Sequence, residues 1–571
     1  MKNFVLKYLV VFIAFCIATW IVWSIFDRPL AGIDDANIYF VYAKNFVNGY
    51  GFVYNVGGEK VEGFTSLLWV LICALVYKLS AKPELTLLVV NVAIIAFGAT
   101  VILSYAQSTL FSREYGEYRK LIWPIIFCAL LITAPAYIAW NTIALMENAI
   151  WSTLLLLATI FVVGENVIPY KINSVFIPLS VLLLLTRPES FLWITIFIVI
   201  LLARRVLAGG IVQAVKEITP LLAACAVAII ALTVFRLRYF GYPLPNTFYA
   251  KVSPSLFYNL TQGILYFKDY FLSSLIVQIC VLAAVMAFMH TILAFIQKKL
   301  NKDGLLFLPI IAGIGLAAPV ITGGDHFGSF RFYQNIHPVL LLCLIYFVKS
   351  VIPIYVQINF NPSVPRWLQH VFIICGIVLV TSCFVWYQTH AWISFKESSN
   401  IAGEFDIAVK GRNDGQFIRE LFVGLPDLPS IGIIIAGGLK YTYPGEVIDL
   451  MGLNNLLMAH NNGNRIGVKN HASFEKETFY RLQPDIVVPE LVFTEGWQYN
   501  ERTLRQSWNN KKTLRGLYND PKFLNLYVFA KIDQKESETD KALVGWFRKD
   551  YLNKLDASSD FIIERFEYAA N

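Results

Sequence analysis

The sequence predicts a polytopic α-helical membrane protein that ends in a soluble α/β domain. Three observations carry this reading. Of 571 residues, 57% are hydrophobic and only 15% charged, where a soluble domain carries about 25% charged residues. Apolar runs approaching the roughly 20 residues that span a bilayer recur up to about residue 395. Beyond that point the runs shorten and charges become frequent, so residues 1–395 read as a membrane domain and 396–571 as a soluble one.

The chain opens with Lys2 and Lys7 and an apolar run to Phe26. The run is long and no small-residue cleavage site follows it, so it reads as an uncleaved first span with a cytoplasmic N-terminus. Residues 27–66 follow as a polar, glycine-rich external loop, within which residues 35–48 fit a short amphipathic helix with Ala36, Phe40, Ala43 and Val47 on one stripe. Further candidate spans cover 67–79, 85–107, 121–139, 149–163, 173–187, 190–203, 217–235, 274–297, 304–322, 337–357 and 368–388, about 11–12 membrane segments in all. The basic clusters Arg204-Arg205 and Lys298-Lys299 with Lys302 mark cytoplasmic loops, which puts residues 239–256, residues 323–336 and the C-terminal domain outside. Counted backward from these clusters, residues 113–120 are cytoplasmic; counted forward from the N-terminus, they are external. One segment therefore does not cross, and the short runs 67–79 and 173–187 are the suspects. In the C-terminal domain strands are expected at 430–436, 447–450, 484–488 and 524–530, and helices near 400–411, 415–423 and 475–482.

Composition also excludes some functions. The net charge of +8 is spread over short loops and forms no interleaved basic and aromatic face, so no nucleic-acid partner is expected. All eight cysteines, Cys16, Cys73, Cys128, Cys225, Cys280, Cys343, Cys375 and Cys383, lie in apolar segments without CxxC spacing. They read as buried small hydrophobes rather than disulfides or a zinc site. No GxGxxG pattern or P-loop lysine is present, and the Ala436-Gly-Gly turn reads as a structural turn.

The chemistry-bearing residues collect in the external loops. Asp34 and Asp35 stand together beside a membrane helix in a chain that otherwise avoids charge, which is costly unless they face water at a working site. One aspartate can cap the helix that follows. The other, sharing a face with Tyr39 and Tyr42, is a candidate general base for an acceptor hydroxyl, with a pKa raised by partial burial. Glu147 is a lone acid in an apolar context, and Arg187 with Glu189 reads as an internal pair or a phosphate contact. The loop from Arg236 to Val252 carries Pro245-Asn246-Thr247 and Lys251. The loop Thr322-Gly-Gly-Asp325-His326 through Arg331 sets an acid, an imidazole and a guanidinium close together. Arg331 suits an anion, which a guanidinium grips with two hydrogen bonds; two adjacent residues, Asp325 and His326, are weak evidence for a metal.

The run from Asp34-Asp35 through Tyr42-Ala43, Asn45, Gly49-Tyr-Gly51, Asn55, Gly58-Glu59 and Val61-Glu62-Gly63-Phe-Thr65-Ser to Leu68-Trp69 resembles the opening of GT-C glycosyltransferases, closest to the family of the mycobacterial terminal β-(1→2) arabinofuranosyltransferase. Met146-Glu147, Leu185-Thr-Arg-Pro-Glu189, Pro245-Asn-Thr-Phe-Tyr-Ala-Lys-Val252, Gly323-Gly-Asp325 with Arg331-Phe332, Ala436-Gly-Gly, Ile448-Asp-Leu-Met-Gly-Leu453, His471 and Pro484-Asp485 are similar to that family too. The chain departs from it in having Ala144-Leu-Met-Glu-Asn148 where the family has Gly-Leu-Glu-Thr, and His326 where an aromatic residue often follows Gly-Gly-Asp. The resemblance implies a polyprenyl-phosphate sugar donor and transfer with inversion at the outer face of a bacterial plasma membrane. The acceptor would be a glycan, a glycolipid or a protein, and arabinofuranose is the sugar favoured. It implies the first-loop aspartate, Asp34 or Asp35, as base; Lys44, Glu62, Glu147, Arg187, Asn246, Lys251, Asp325, His326 and Arg331 are expected to hold donor phosphate or substrate. No cofactor and no obligatory metal are expected. A transporter of a lipid-linked sugar would use the same charges without chemistry, and a structural assembly protein would leave the aspartate pair unexplained.

Overall fold

A computed structural model describes residues 2–105, 117–164, 172–297, 304–352, 392–393, 395–397, 399–463, 465–488, 501–535, 542–558 and 560–566. The expected span at 368–388, the basic residues at 298–302, Arg113, Cys375 and Cys383 lie outside them.

The chain is a multi-pass helical membrane protein with a C-terminal mixed sheet. Six helices among the described residues are long and apolar enough to cross a bilayer, and two bent pairs raise the number to eight. They include α1 (Lys2–Ile25), then, after α2 (Asp34–Val47) and α3 (Leu67–Leu79), α4 (Pro83–Tyr105). Of the other expected segments, the runs at 67–79, 148–163 and 174–186 are helices of only 10–17 residues, and 368–388 lies outside the described residues.

The position of α3 resolves the counting conflict. Its N-terminal end follows residue Gly63, against which Asn454 of the C-terminal domain packs, and Tyr42 ties the two together by bonding Val61 and Asn454. At its other end Tyr77 donates to the Tyr441 hydroxyl of the same domain at 3.2 Å. A helix of 13 residues with the C-terminal domain at both ends does not cross the bilayer. The apolar run 67–79 thus has both ends against the C-terminal domain, and with it left out and the later runs each crossing once, the forward count agrees with the backward one.

Among the described residues the C-terminal domain forms a six-stranded sheet in the order β2-β1-β3-β5-β4-β6, made of β1 (Ile431–Ile433), β2 (Val447–Asp449), β3 (Ile486–Val487), β4 (Tyr527–Gln534), β5 (Leu543–Arg548) and β6 (Phe561–Arg565). β1 pairs parallel with β2 and β3, and the remaining pairs are antiparallel. Two expectations are corrected here. The run 524–530 is split, because Asp520 caps and Pro521 starts a helix to Leu526, so the strand begins at Tyr527. The helices expected at 400–411 and 415–423 are one helix spanning Ile401–Leu421. Its Gly411 and Gly415 do not break it. They let the backbone of residues 438–439 approach so closely that a Cβ at Gly415 would stand 2.3 Å from the Leu439 carbonyl oxygen.

Candidate functional site

The first turn of α2 lies between the membrane helices and the sheet domain. Ile33 is its N-cap and makes no side-chain cap bond, so neither aspartate caps the helix. Both carboxylates instead turn outward from the first turn, where the helix dipole favours negative charge.

Their partners differ. Asp34 is buried and accepts from the backbone N–H groups of Gly437 (2.9 Å) and Gly438 (2.7 Å). The Ala436-Gly-Gly turn therefore does bind an anion, the carboxylate of this chain's own Asp34. The fit needs glycine, since a Cβ on Gly437 would sit 2.0 Å from the Asp34 carbonyl oxygen. Burial pushes the Asp34 carboxyl up to about 7, against the pull of the two N–H groups.

Asp35 is partly open. Its Oδ2 lies 3.5 Å from Lys251 Nζ and 3.9 Å from an Arg331 guanidinium nitrogen. Burial acts to raise its pKa, but Lys251, Arg331 and His326 outweigh burial and hold the carboxyl below the ordinary value. The expectation of a raised pKa thus fails at the aspartate that is accessible and holds at the one that is not.

Each cation is placed by a local device. Lys251 ends the short helix Asn246–Lys251. Asn246 fixes that helix by donating to the carbonyls of Gly452 (2.7 Å) and Leu453 (3.0 Å), and its own N–H donates to Glu62 O at 3.0 Å. Arg331 follows a turn in which Gly323 and Gly324 adopt φ of 88° and 71°, and Ser329 and Phe330 are also left-handed. Its Nε and Nη2 donate to Asp325 Oδ2, each at 2.7 Å. Asp325 also accepts from Asn470 at 2.8 Å and from the His326 N–H at 2.9 Å. Arg187 bridges Glu147 at 2.5 Å and Glu189 at 3.0 Å, while Glu147 Oε2 has no hydrogen-bond partner among the described residues.

Two cavities meet at Asp35. The larger, about 450 Å³, is mostly apolar, with Phe64, Met146, Phe191, Phe248, Ile321 and Phe332 in its walls, and it receives Lys251, Arg331, Arg187, Lys469 and Glu147. The smaller, about 180 Å³, lies toward the sheet domain and is lined by Asp34, Asp449, Glu404, His326 and His471. Asp35, Ile38, Lys251, Leu453 and Asn470 belong to both walls. Among the described residues no group of three or more His, Cys, Asp or Glu side chains is arranged to hold a metal.

The structure thus gathers Asp35, Glu147, Arg187, Lys251, His326 and Arg331 around two joined cavities. It sets the other expected residues apart. Glu62 lines neither cavity and is tied to Arg236 through two carboxylate oxygens, at 3.1 and 2.9 Å from Nε. Asn246 and Asp325 hold loops rather than line a cavity. Lys44 lies toward the far end of α2, against Tyr441. Sequence reasoning missed Glu404, Lys469 and Asn470, which read as ordinary charged and polar residues of a soluble domain and reach the site only through tertiary packing.

No protein-family model matches the chain, and no curated protein matches it. Solved structures do. The chain is similar to ArnT from Cupriavidus metallidurans bound to undecaprenyl phosphate, at 12% identity over 77% of this chain and 85% of that one, with a TM-score of 0.46. It is also similar to the archaeal oligosaccharyltransferase AglB from Archaeoglobus fulgidus, in complex with an inhibitory peptide and a dolichol-phosphate, at 12% identity over 98% of this chain and 76% of that one, with a TM-score of 0.38.

Proposed function

We propose that this chain is a GT-C glycosyltransferase that moves a sugar from a polyprenyl-phosphate donor to an acceptor hydroxyl with inversion, the sugar being arabinofuranose. The observation that carries the reading is the place of Asp35, in the wall shared by a large apolar cavity with cations and a small polar one. The larger cavity suits a lipid-linked sugar phosphate: apolar walls for the lipid, and Lys251 and Arg331 for the phosphate. The smaller suits the incoming hydroxyl.

In the reaction proposed, Asp35 takes the proton of the acceptor hydroxyl as that oxygen bonds to the anomeric carbon. The bond from that carbon to the phosphate oxygen breaks, and polyprenyl phosphate leaves with the electron pair. Lys251 and Arg331 stabilise the charge that grows on the departing phosphate. They also govern the base. In the free protein they hold Asp35 low; a donor phosphate lying against them offsets their charge and raises the pKa of Asp35, so the base strengthens once donor is bound. The site would face the periplasm of a bacterial inner membrane, and the acceptor would be an envelope glycan, a glycolipid or a surface protein.

The test is a transfer assay on purified protein with prenyl-phosphoryl-arabinofuranose and a panel of acceptors, comparing wild type with Asp35→Asn. Release of prenyl phosphate by wild type and its loss in the variant, with donor still bound, is the expected result. Movement of intact donor across a vesicle membrane without release would make the chain a transporter.

A further inference from the structure

Of the expected site residues that the two joined cavities do not use, Glu62, Asn246 and Asp325 are spent on internal bonds, and Lys44 faces a cavity of its own. It lines a separate cavity of about 380 Å³ between the C-terminal turn of α2 and the sheet domain, together with Asn45, Asn48, Arg419, Lys440 and Tyr443. It stands nine residues beyond Asp35 on the same helix, which at 1.5 Å per residue is about 14 Å along the axis.

The charges here differ from those of the ion-paired arginines and share with the buried Arg465, whose guanidinium donates to amide and carbonyl oxygens, the lack of a carboxylate partner among the described residues. The buried Arg187, Arg236 and Arg331 each meet a carboxylate. Lys44 and Lys440 meet none among the described residues. Lys44 donates to the Tyr441 carbonyl at 3.4 Å and lies 4.2 Å from the centre of the Tyr441 ring. Lys440, only 7% exposed, donates to the Gly445 carbonyl at 2.7 Å. Glu84 and Glu446 act on Lys44 and Lys440 through space but close no ion pair with them; taking an ammonium out of water without a paired carboxylate is costly, and a bound anion offsets that cost. Burial pulls the Lys440 ammonium down to about 8, a strain an anion would relieve. The rest of the lining names the carrier of the anion. Asn45 already spends its amide N–H on the Val53 carbonyl at 2.8 Å, and the Tyr441 and Tyr443 hydroxyls donate to Glu84 at 2.8 Å and to the Pro429 carbonyl at 2.6 Å, which leaves the Asn48 amide to meet a ligand hydroxyl.

We propose that this cavity is a second binding site, for a hydroxyl-rich molecule bearing a phosphate or a carboxylate, held by Lys44, Lys440 and Arg419. An acidic glycan and the headgroup of an anionic lipid both have this chemistry. The site stands apart from the transfer reaction and does not depend on it.

The experiment uses the full chain in phosphatidylcholine nanodiscs. Glucose 6-phosphate, glucuronate and glucose are titrated by equilibrium dialysis, and a parallel arm measures retention of phosphatidylglycerol. The proteins are wild type, Lys44→Gln, Arg419→Gln and Arg331→Gln. Arg419 is exposed, so its variant keeps the fold intact. An anionic probe should bind, weaken with salt, and lose about tenfold in affinity in Lys44→Gln and Arg419→Gln while Arg331→Gln retains it. Binding of soluble probes assigns a glycan, and retention of phosphatidylglycerol alone assigns a lipid. Glucose binding as well as its phosphate, loss in Arg331→Gln but not in Lys44→Gln, or no binding of any anionic probe or lipid overturns the proposal. Because the readout is binding, a failed transfer assay leaves it standing.

Discussion

At the scale of single residues, adjacency hides a division of labour. Asp34 and Asp35 are chemically identical neighbours, yet one spends its carboxylate on two glycine N–H groups at the edge of the smaller cavity and the other faces both cavities. Asp35→Asn should cut turnover by about 10²- to 10⁴-fold, the range a positioned general base supplies, with little change in stability. Asp34→Asn should do the reverse. It weakens two charge-assisted bonds, each worth about 1.5–3 kcal/mol, so the unfolding midpoint should fall and protease should cut more readily between the membrane and sheet domains. Equal effects of the two changes on both readouts would remove the division. The pair was legible in the sequence because charge is scarce there. The assignment was not, because it depends on Gly437 and Gly438, some 400 positions away, and on cations brought in by two separate loops. Arg331 also makes its own prediction. Arg331→Lys keeps the charge but loses the two-pronged grip on Asp325, so it should lower kcat more than it raises KM, whereas a residue that merely fills space would tolerate the change.

At the scale of elements, apolar length alone misleads where a helix lies along a surface. Residues 67–79 are as apolar as a span, and only the contacts at both ends show that the helix stays on the side of the sheet domain. In a cysteine-free background, Val56→Cys before this helix and Ala81→Cys after it should both react with a membrane-impermeant maleimide added to the same side. Labelling of Ala81→Cys from the opposite side only would restore α3 as a span. The parity conflict in the sequence was therefore real information, since two charge-based counts disagreed by one crossing. What the sequence lacked was the pair Tyr77 and Tyr441, which no local pattern links. The long helix Ile401–Leu421 shows the same limit from the other direction, since the sequence divides it in two where Gly411 and Gly415 act as points of close approach.

At the scale of the whole molecule, the seam between membrane domain and sheet domain is acidic and therefore sensitive to pH. Three carboxyls line its smaller cavity with pKa values raised chiefly by burial: Asp34 to about 7, Asp449 to about 6 and Glu404 to about 8. A folded-state value above the unfolded one, about 3.9–4.3 for these residues, means that the folded chain holds the proton more tightly. Their contribution to stability is present in full below about pH 4 and is lost as pH rises through 6 to 8. Asp35 and Asp325 act in the opposite sense. Burial would raise both, but the cations around them hold them low, so the stability they lend is present above about pH 4 and is lost as acid protonates them. The two trends together place the stability maximum between about pH 4 and 6, with a decline toward pH 8. The midpoint of thermal unfolding, followed in buffers of constant ionic strength, should trace that curve, and Glu404→Gln, which cannot ionise, should flatten its alkaline limb. A midpoint that rises steadily from pH 5 to 8 in wild type would show that the seam is not held by protonated carboxyls. The two N–H bonds from Gly437 and Gly438 strengthen as Asp34 ionises and only partly offset the cost of its burial, so the alkaline loss falls on charge buried in the seam and not on release of the turn that fixes α2.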